Sequence, residues 1–149
     1  MKSWFWKGML AAAIVLPAVS GAVWAGGSDD LGCSNATLRG LYMFAQSGYT
    51  TVNGSLVPES VTGKDIIYGN GKFDSLATIS VAGTIIPGDA APGTYTVNSD
   101  CTGSLTVHMT PPVPDVHLDI FVAPDGSEYF TVQTDPGNVL SGTIQRVSP

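Results

Sequence analysis

The chain has 149 residues, 44% hydrophobic and only 12% charged, with 18 glycines and 10 prolines. Charged residues at about half the usual ~25% exclude a coiled coil or a charged disordered tail, and 6 basic against 12 acidic residues exclude the basic face of a nucleic-acid binder. The length fits a single domain.

The chain opens with Lys2 and Lys7, an apolar run from Gly8 to Val19, and the small-x-small signal Val23-Trp24-Ala25. This order predicts a secretory signal peptide over 1–25 and a mature domain over 26–149, secreted or periplasmic. The apolar run is shorter than the roughly 20 residues of a membrane span, and Pro17 and Gly21 interrupt its end, so no stable span is expected after cleavage. No cysteine follows the run to accept a lipid. Cleavage leaves 4 basic residues against 12 acidic ones, a net charge of −8. In an oxidising compartment the two cysteines, Cys33 and Cys101, read as one disulfide rather than as metal ligands, which would need more Cys or His at short spacing. The expected role of the bridge is to pin the start of the mature chain to the sheet.

Beyond the leader the hydrophobic pattern has period two. In Lys72–Val81 the apolar residues Phe73, Ala77, Ile79 and Val81 fall on odd positions; Leu105 and Val107, then Val116, Leu118, Ile120 and Val122, repeat the alternation. Strands are predicted near Leu38–Ser47, Val61–Tyr68, Lys72–Ala82, Gly93–Asn98, Gly103–Thr110, Asp115–Ala123, Ser127–Thr134 and Val139–Val147. Gly69-Asn70-Gly71, Asp100-Cys101-Thr102-Gly103, Asp125-Gly126 and Asp135-Pro136-Gly137 supply the turns between them. The segments Gly48–Ser60 and Thr84–Pro92 read as longer loops. Helix formers are scarce, whereas Val, Ile and Thr abound. The fold expected is therefore all-β: one antiparallel, mostly up-and-down barrel of about eight strands, in which closure removes aggregation-prone edges.

Three stretches carry a resemblance: Cys33-Ser34-Asn35-Ala36-Thr37-Leu38-Arg39-Gly40-Leu41-Tyr42, then Gly93-Thr94-Tyr95-Thr96-Val97-Asn98-Ser99-Asp100-Cys101-Thr102-Gly103-Ser104-Leu105, then Thr134-Asp135-Pro136-Gly137 with Ser141-Gly142-Thr143. Together they resemble a group of small exported bacterial β-barrel proteins, over about Cys33 to Arg146. In architecture that group is more distantly similar to allene-oxide-cyclase-like and lipocalin-like barrels. The resemblance implies a barrel and, for the cyclase branch, chemistry on a polyene or oxylipin in an apolar cavity without a cofactor. The shared residues are turn, cysteine and strand residues, so they speak to fold rather than chemistry. No catalytic motif of the cyclases can be matched, and no site is carried over.

Few residues are candidates for chemistry. His117, Asp119 and Phe121 share one strand face, and His108 lies on the preceding strand; as cross-strand neighbours, the two imidazoles and the carboxylate would make an acid/base group or a metal site. The polar row of an alternating strand ordinarily faces water, which in a small barrel is the outside, so no metal site is expected. Glu59 and Glu128 are candidate general acids at a cavity mouth, with solvated charges as the plainer reading. Tyr42, Tyr68, Tyr95 and Tyr129 fall on four strands; any that point inward would offer an apolar body and a polar tip to a ligand, although core packing also explains them. Asn35-Ala36-Thr37 and Asn53-Gly54-Ser55 match the glycosylation pattern, but the bacterial style of the leader argues against a glycan.

The first functional expectation is a barrel that binds a small apolar or amphipathic molecule and needs no cofactor. The second is a cofactor-free cyclase or isomerase using the same cavity. The third is a structural or surface-interaction module with its interior filled by side chains, since eight strands enclose a space that side chains can fill. No nucleic-acid partner is expected, and the oligomeric state is left open.

Overall fold

The computed structural model describes residues 30–149; the predicted leader lies outside them. Eight antiparallel strands close into an up-and-down barrel in chain order. They are β1 (Arg39–Val52), β2 (Ser55–Tyr68), β3 (Lys72–Val81), β4 (Thr84–Val97), β5 (Thr102–Val107), β6 (Val116–Val122), β7 (Glu128–Gln133) and β8 (Val139–Ser148). β8 returns to β1, so that Phe44 faces Ile144 and Gly48 faces Leu140. Among the described residues no helix is long and apolar enough to cross a membrane.

Inward rows follow the predicted alternation. Phe73 in β3, Leu105 in β5, Leu118, Ile120 and Val122 in β6, and Ile144 in β8 are buried, whereas His117, Asp119 and Phe121 face out. One end of the barrel is solid. There Leu38, Tyr42, Ile67, Tyr95, Ile120 and Tyr129 pack into one cluster, covered by a 3-10 turn at Asn35–Thr37. The Tyr42 hydroxyl donates to the Gly126 carbonyl (2.7 Å), and that of Tyr95 donates to the carbonyls of Asn35 (2.8 Å) and Leu38 (3.0 Å). The Cys33–Cys101 disulfide ties the lead-in to the β4–β5 turn, which the Cys33 and Leu31 N–H groups also reach through the Ser99 carbonyl. The bridge thus pins the start of the domain, as expected.

The two segments read as loops, Gly48–Ser60 and Thr84–Pro92, are instead mostly strand. β1 and β2 pair without a break from Arg39–Tyr68 to Val52–Ser55, leaving Asn53-Gly54 as a two-residue hairpin turn with φ of 51° and 78°. Ala82-Gly83 does the same between β3 and β4, with φ of 48° and 84°. Two positive φ values match the type I′ turn whose twist continues the strands. Serine, threonine and glycine in these segments mimic loop composition, yet the ladder hydrogen bonds depend on backbone alone. β1, β2 and β4 therefore reach 14 residues, while β5, β6 and β7 have only 6 or 7.

Gly93 lies inside the barrel, and the Phe73 ring packs directly on its Cα. A Cβ there would overlap the ring and lie 2.7 Å from the Thr106 carbonyl oxygen. Gly93→Ala is expected to cost about 2 kcal/mol by overpacking, seen as a lower denaturant midpoint at unchanged slope. An unchanged midpoint would mean that the ring moves aside freely.

Candidate functional site

Above the solid end the barrel is hollow. The cavity has a volume of about 760 Å³ and reaches the end formed by the β1–β2 and β3–β4 hairpins and the loops around Val113 and Pro136. The space exists because the inward rows carry small residues at middle height. Gly63 pairs with Ala77, Ala91 with Ser75, and Gly142 with Gln46. Side chains that would fill an eight-stranded barrel are missing there. The walls are mainly apolar, with Phe44, Val61, Ile79, Leu105, Leu118 and Leu140 among them.

The deep end carries the one buried carboxyl among the described residues. Asp65 stands on the inward row of β2, opposite Tyr42 on β1 and Ser75 on β3, and is 5% exposed. The Tyr129 hydroxyl donates to its Oδ2 at 3.3 Å, while Oδ1 has no hydrogen-bond partner. Burial pushes the Asp65 carboxyl up from 3.8 to about 6, against the lowering effect of Ser75 and Tyr129. Burial, followed by the neighbouring Asp65 charge, drives the Tyr129 phenol well above its ordinary value, so Tyr129 keeps its proton and acts as the donor. The Tyr129 ring is itself held edge-on to Tyr42, with centroids 5.7 Å apart. Higher up, Gln46 Nε2 donates to Thr131 Oγ1 at 2.8 Å.

Four more carboxylates line the cavity: Glu59, Asp89, Asp115 and Asp135. Burial raises the Glu59 carboxyl, partly offset by the nearby Thr50 hydroxyl. Asp115 accepts from His108 Nδ1 at 2.9 Å and from the Met109 N–H; these bonds, that of His108 foremost, hold its carboxyl below the ordinary range. Asp135 accepts from His117 Nδ1 (2.8 Å), the His117 N–H and Gln133 Nε2. Burial works to raise the Asp135 carboxyl, but these bonds outweigh it and the net effect is a lowered value.

The candidate residues named from sequence are thus dispersed. His108 and His117 are each held by a separate aspartate, and no hydrogen bond or ion pair joins them to each other or to Asp119, which is exposed on the outer face. Among the described residues no cluster of three His, Cys, Asp or Glu side chains suits a metal. Glu59 lines the cavity, while Glu128 lies half-buried on the outward row of β7. Of the four tyrosines, Tyr129 lines the cavity; Tyr42 and Tyr95 belong to the solid end; Tyr68 is 46% exposed outside, where its hydroxyl donates to Asp74. Tyr68 faces out because it shares the parity of Lys64 and Ile66, opposite to that of Asp65 and Ile67.

Sequence reasoning missed Asp65. The usable signal was its place in the alternation Val61-x-Gly63-x-Asp65-x-Ile67, but the opposite row, with Ile66 and Tyr68, is no less apolar. Comparison with protein families, with curated proteins and with solved structures found no match to the chain.

Proposed function

We propose that the protein is an exported barrel that binds a small apolar or amphipathic molecule in its interior. The observation that carries this reading is the cavity of about 760 Å³ with mainly apolar walls and few polar groups, within the 300–1,000 Å³ typical of small-molecule sites. Export, to the periplasm or the medium, is supported by the leader pattern of Lys2, Lys7 and Val23-Trp24-Ala25 and by the Cys33–Cys101 bridge.

The test is titration with 1-N-phenylnaphthylamine, a neutral fluorophore that brightens in apolar surroundings, alongside an Ala77→Trp variant that fills the cavity at mid-height. The wild-type protein is expected to bind the dye with micromolar affinity, and Ala77→Trp to weaken it at least about tenfold, which corresponds to 1.4 kcal/mol. Dye binding that ignores Ala77→Trp would move the site elsewhere and remove the basis of the reading.

The Asp65–Tyr129 pair favours a second reading, a cofactor-free isomerase or cyclase. A buried carboxyl titrating near 6 beside a neutral phenol, at the deep end of the cavity, has the attributes of a general acid/base. The two readings part on turnover: native mass spectrometry of the protein from its own host identifies the bound molecule, and incubation with that molecule either returns it intact or converts it.

A further inference from the structure

Among the described residues the wall of the cavity contains five carboxylates, Glu59, Asp65, Asp89, Asp115 and Asp135, and no lysine, arginine or histidine. Like charges along low-dielectric walls focus a negative potential inside, which attracts a cation and repels an anion. Asp115 and Asp135 are paired with His108 and His117; of the three carboxylates without an ion pair, Glu59, Asp65 and Asp89, only Asp65, at the deep end, is buried. Tyr129 from β7, Tyr42 from β1 and Ser75 from β3 surround it, all of them neutral. Arg146 belongs to the closed end, where its guanidinium donates to the Asp125 carbonyl.

A buried carboxylate with one oxygen unpartnered is costly unless a donor reaches it. Among the described residues no side chain makes a hydrogen bond to Oδ1; the Ser75 hydroxyl opposite on β3 lowers the carboxyl from nearby but does not reach hydrogen-bond geometry. A hydroxyl would bring one hydrogen bond; an ammonium brings three donors and the opposite charge, and its hydrogen bonds are the stronger, charge-assisted kind. The distance also suits an amphipathic shape. Between Asp65 and Glu59 the inward row of β2 runs about 20 Å of strand, or about 15 Å of depth once barrel tilt is included. Val61, Phe44, Ile79 and Leu140 line that depth, so a polar head at Asp65 leaves an alkyl chain against apolar walls.

Building on the reading of the cavity as a binding site, we propose that its ligand class is the amphipathic amine: the ammonium sits against Asp65 and the apolar chain runs toward the mouth. Fatty acids are the class the site rejects. Burial with no cation beside it raises the Asp65 carboxyl, and an ammonium in contact would lower it again.

Three probes with the same chain and different heads decide it. Decylamine, decanol and decanoate are titrated calorimetrically at pH 7.5, below micelle-forming concentrations, into wild-type protein and into Asp65→Asn and Asp65→Leu. Decylamine is expected to bind wild type at least about tenfold more tightly than decanol, with decanoate weakest, as one charge-assisted pair in a sheltered site implies. In both variants the amine preference should vanish while decanol affinity stays within about twofold. Equal or tighter binding of decanoate to wild type overturns the assignment, as does an amine preference that survives both substitutions; in either case the binding-barrel reading stands. Failure of all three probes to bind overturns both. The rank order on wild type alone decides the matter if a variant does not fold.

Discussion

Replacing Cys33 and Cys101 together by serine is expected to lower the stability of the protein by about 4 kcal/mol, the entropy the unfolded chain regains when a closed loop of this length is opened. The bridge spans a sequence separation of 68 residues, which covers β1 to β4 and so includes Asp65 and Ser75 of the deep end of the cavity. Its removal also frees the lead-in, which otherwise holds the 3-10 turn under the barrel: the Asn35 side chain accepts from the Val97 N–H at 2.8 Å, and Tyr95 donates to the carbonyls of Asn35 and Leu38. A fall in melting temperature of roughly 10 to 20 °C should accompany the change in a domain of this size. Denaturant unfolding of the oxidised wild type and the double variant measures it directly. A loss below about 1 kcal/mol would mean that the packing of Leu38, Tyr42 and Tyr95 closes the barrel without the covalent tie.

Asp65→Asn is expected to stabilise the protein at pH 8 and to leave it nearly unchanged at pH 3.5. The carboxyl titrates at about 6 in the folded protein and at its ordinary 3.8 when unfolded, so between these pH values the native state holds a proton that the unfolded chain has released. Stability from this group therefore falls as pH rises through that window, and above it the ionised native state stands about 3 kcal/mol worse off. Asp100, Asp115, Asp125 and Asp135 act in the opposite sense, because their lowered carboxyls contribute stability that is lost on acidification. They are common to both proteins, so the difference between wild type and variant isolates Asp65. Urea unfolding at the two pH values should give a gain of about 2 to 3 kcal/mol at pH 8 only. An equal gain at both would assign the effect to packing, and no gain at either would place water or another donor at Oδ1.

That cost has a functional counterpart. A residue that lowers stability at neutral pH while lining a cavity is the pattern of a site held ready for a ligand, where stability is given up for binding. On the amine proposal, decylamine should restore at pH 8 much of what the ionised carboxylate removes, because it binds only the folded chain.

The alternation in the chain and its turn residues were enough to define an antiparallel barrel of eight strands, because each strand with a distinctly apolar row admits one inward face. Phe73 and Leu105 point where that rule puts them, whereas closure of the barrel is what turns Leu118, Ile120 and Ile144 inward. The disulfide was equally legible, as the chain offers its two cysteines a single intramolecular pairing. The lengths of β1, β2 and β4 were not, since Thr50, Thr51 and Ser55 look like loop residues until a neighbouring strand supplies their backbone partners. Nor was the cavity. Its volume depends on Gly63, Ala77, Ala91 and Gly142, from β2, β3, β4 and β8, falling together on the inward rows at middle height, a coincidence of registers that no single strand encodes. Asp65 shows the limit most clearly: the two rows of β2 are equally apolar, so local pattern leaves its direction open. Closure of the barrel decides it, by pairing Asp65 with Tyr42 on one side and Ser75 on the other and so turning a carboxylate toward the interior.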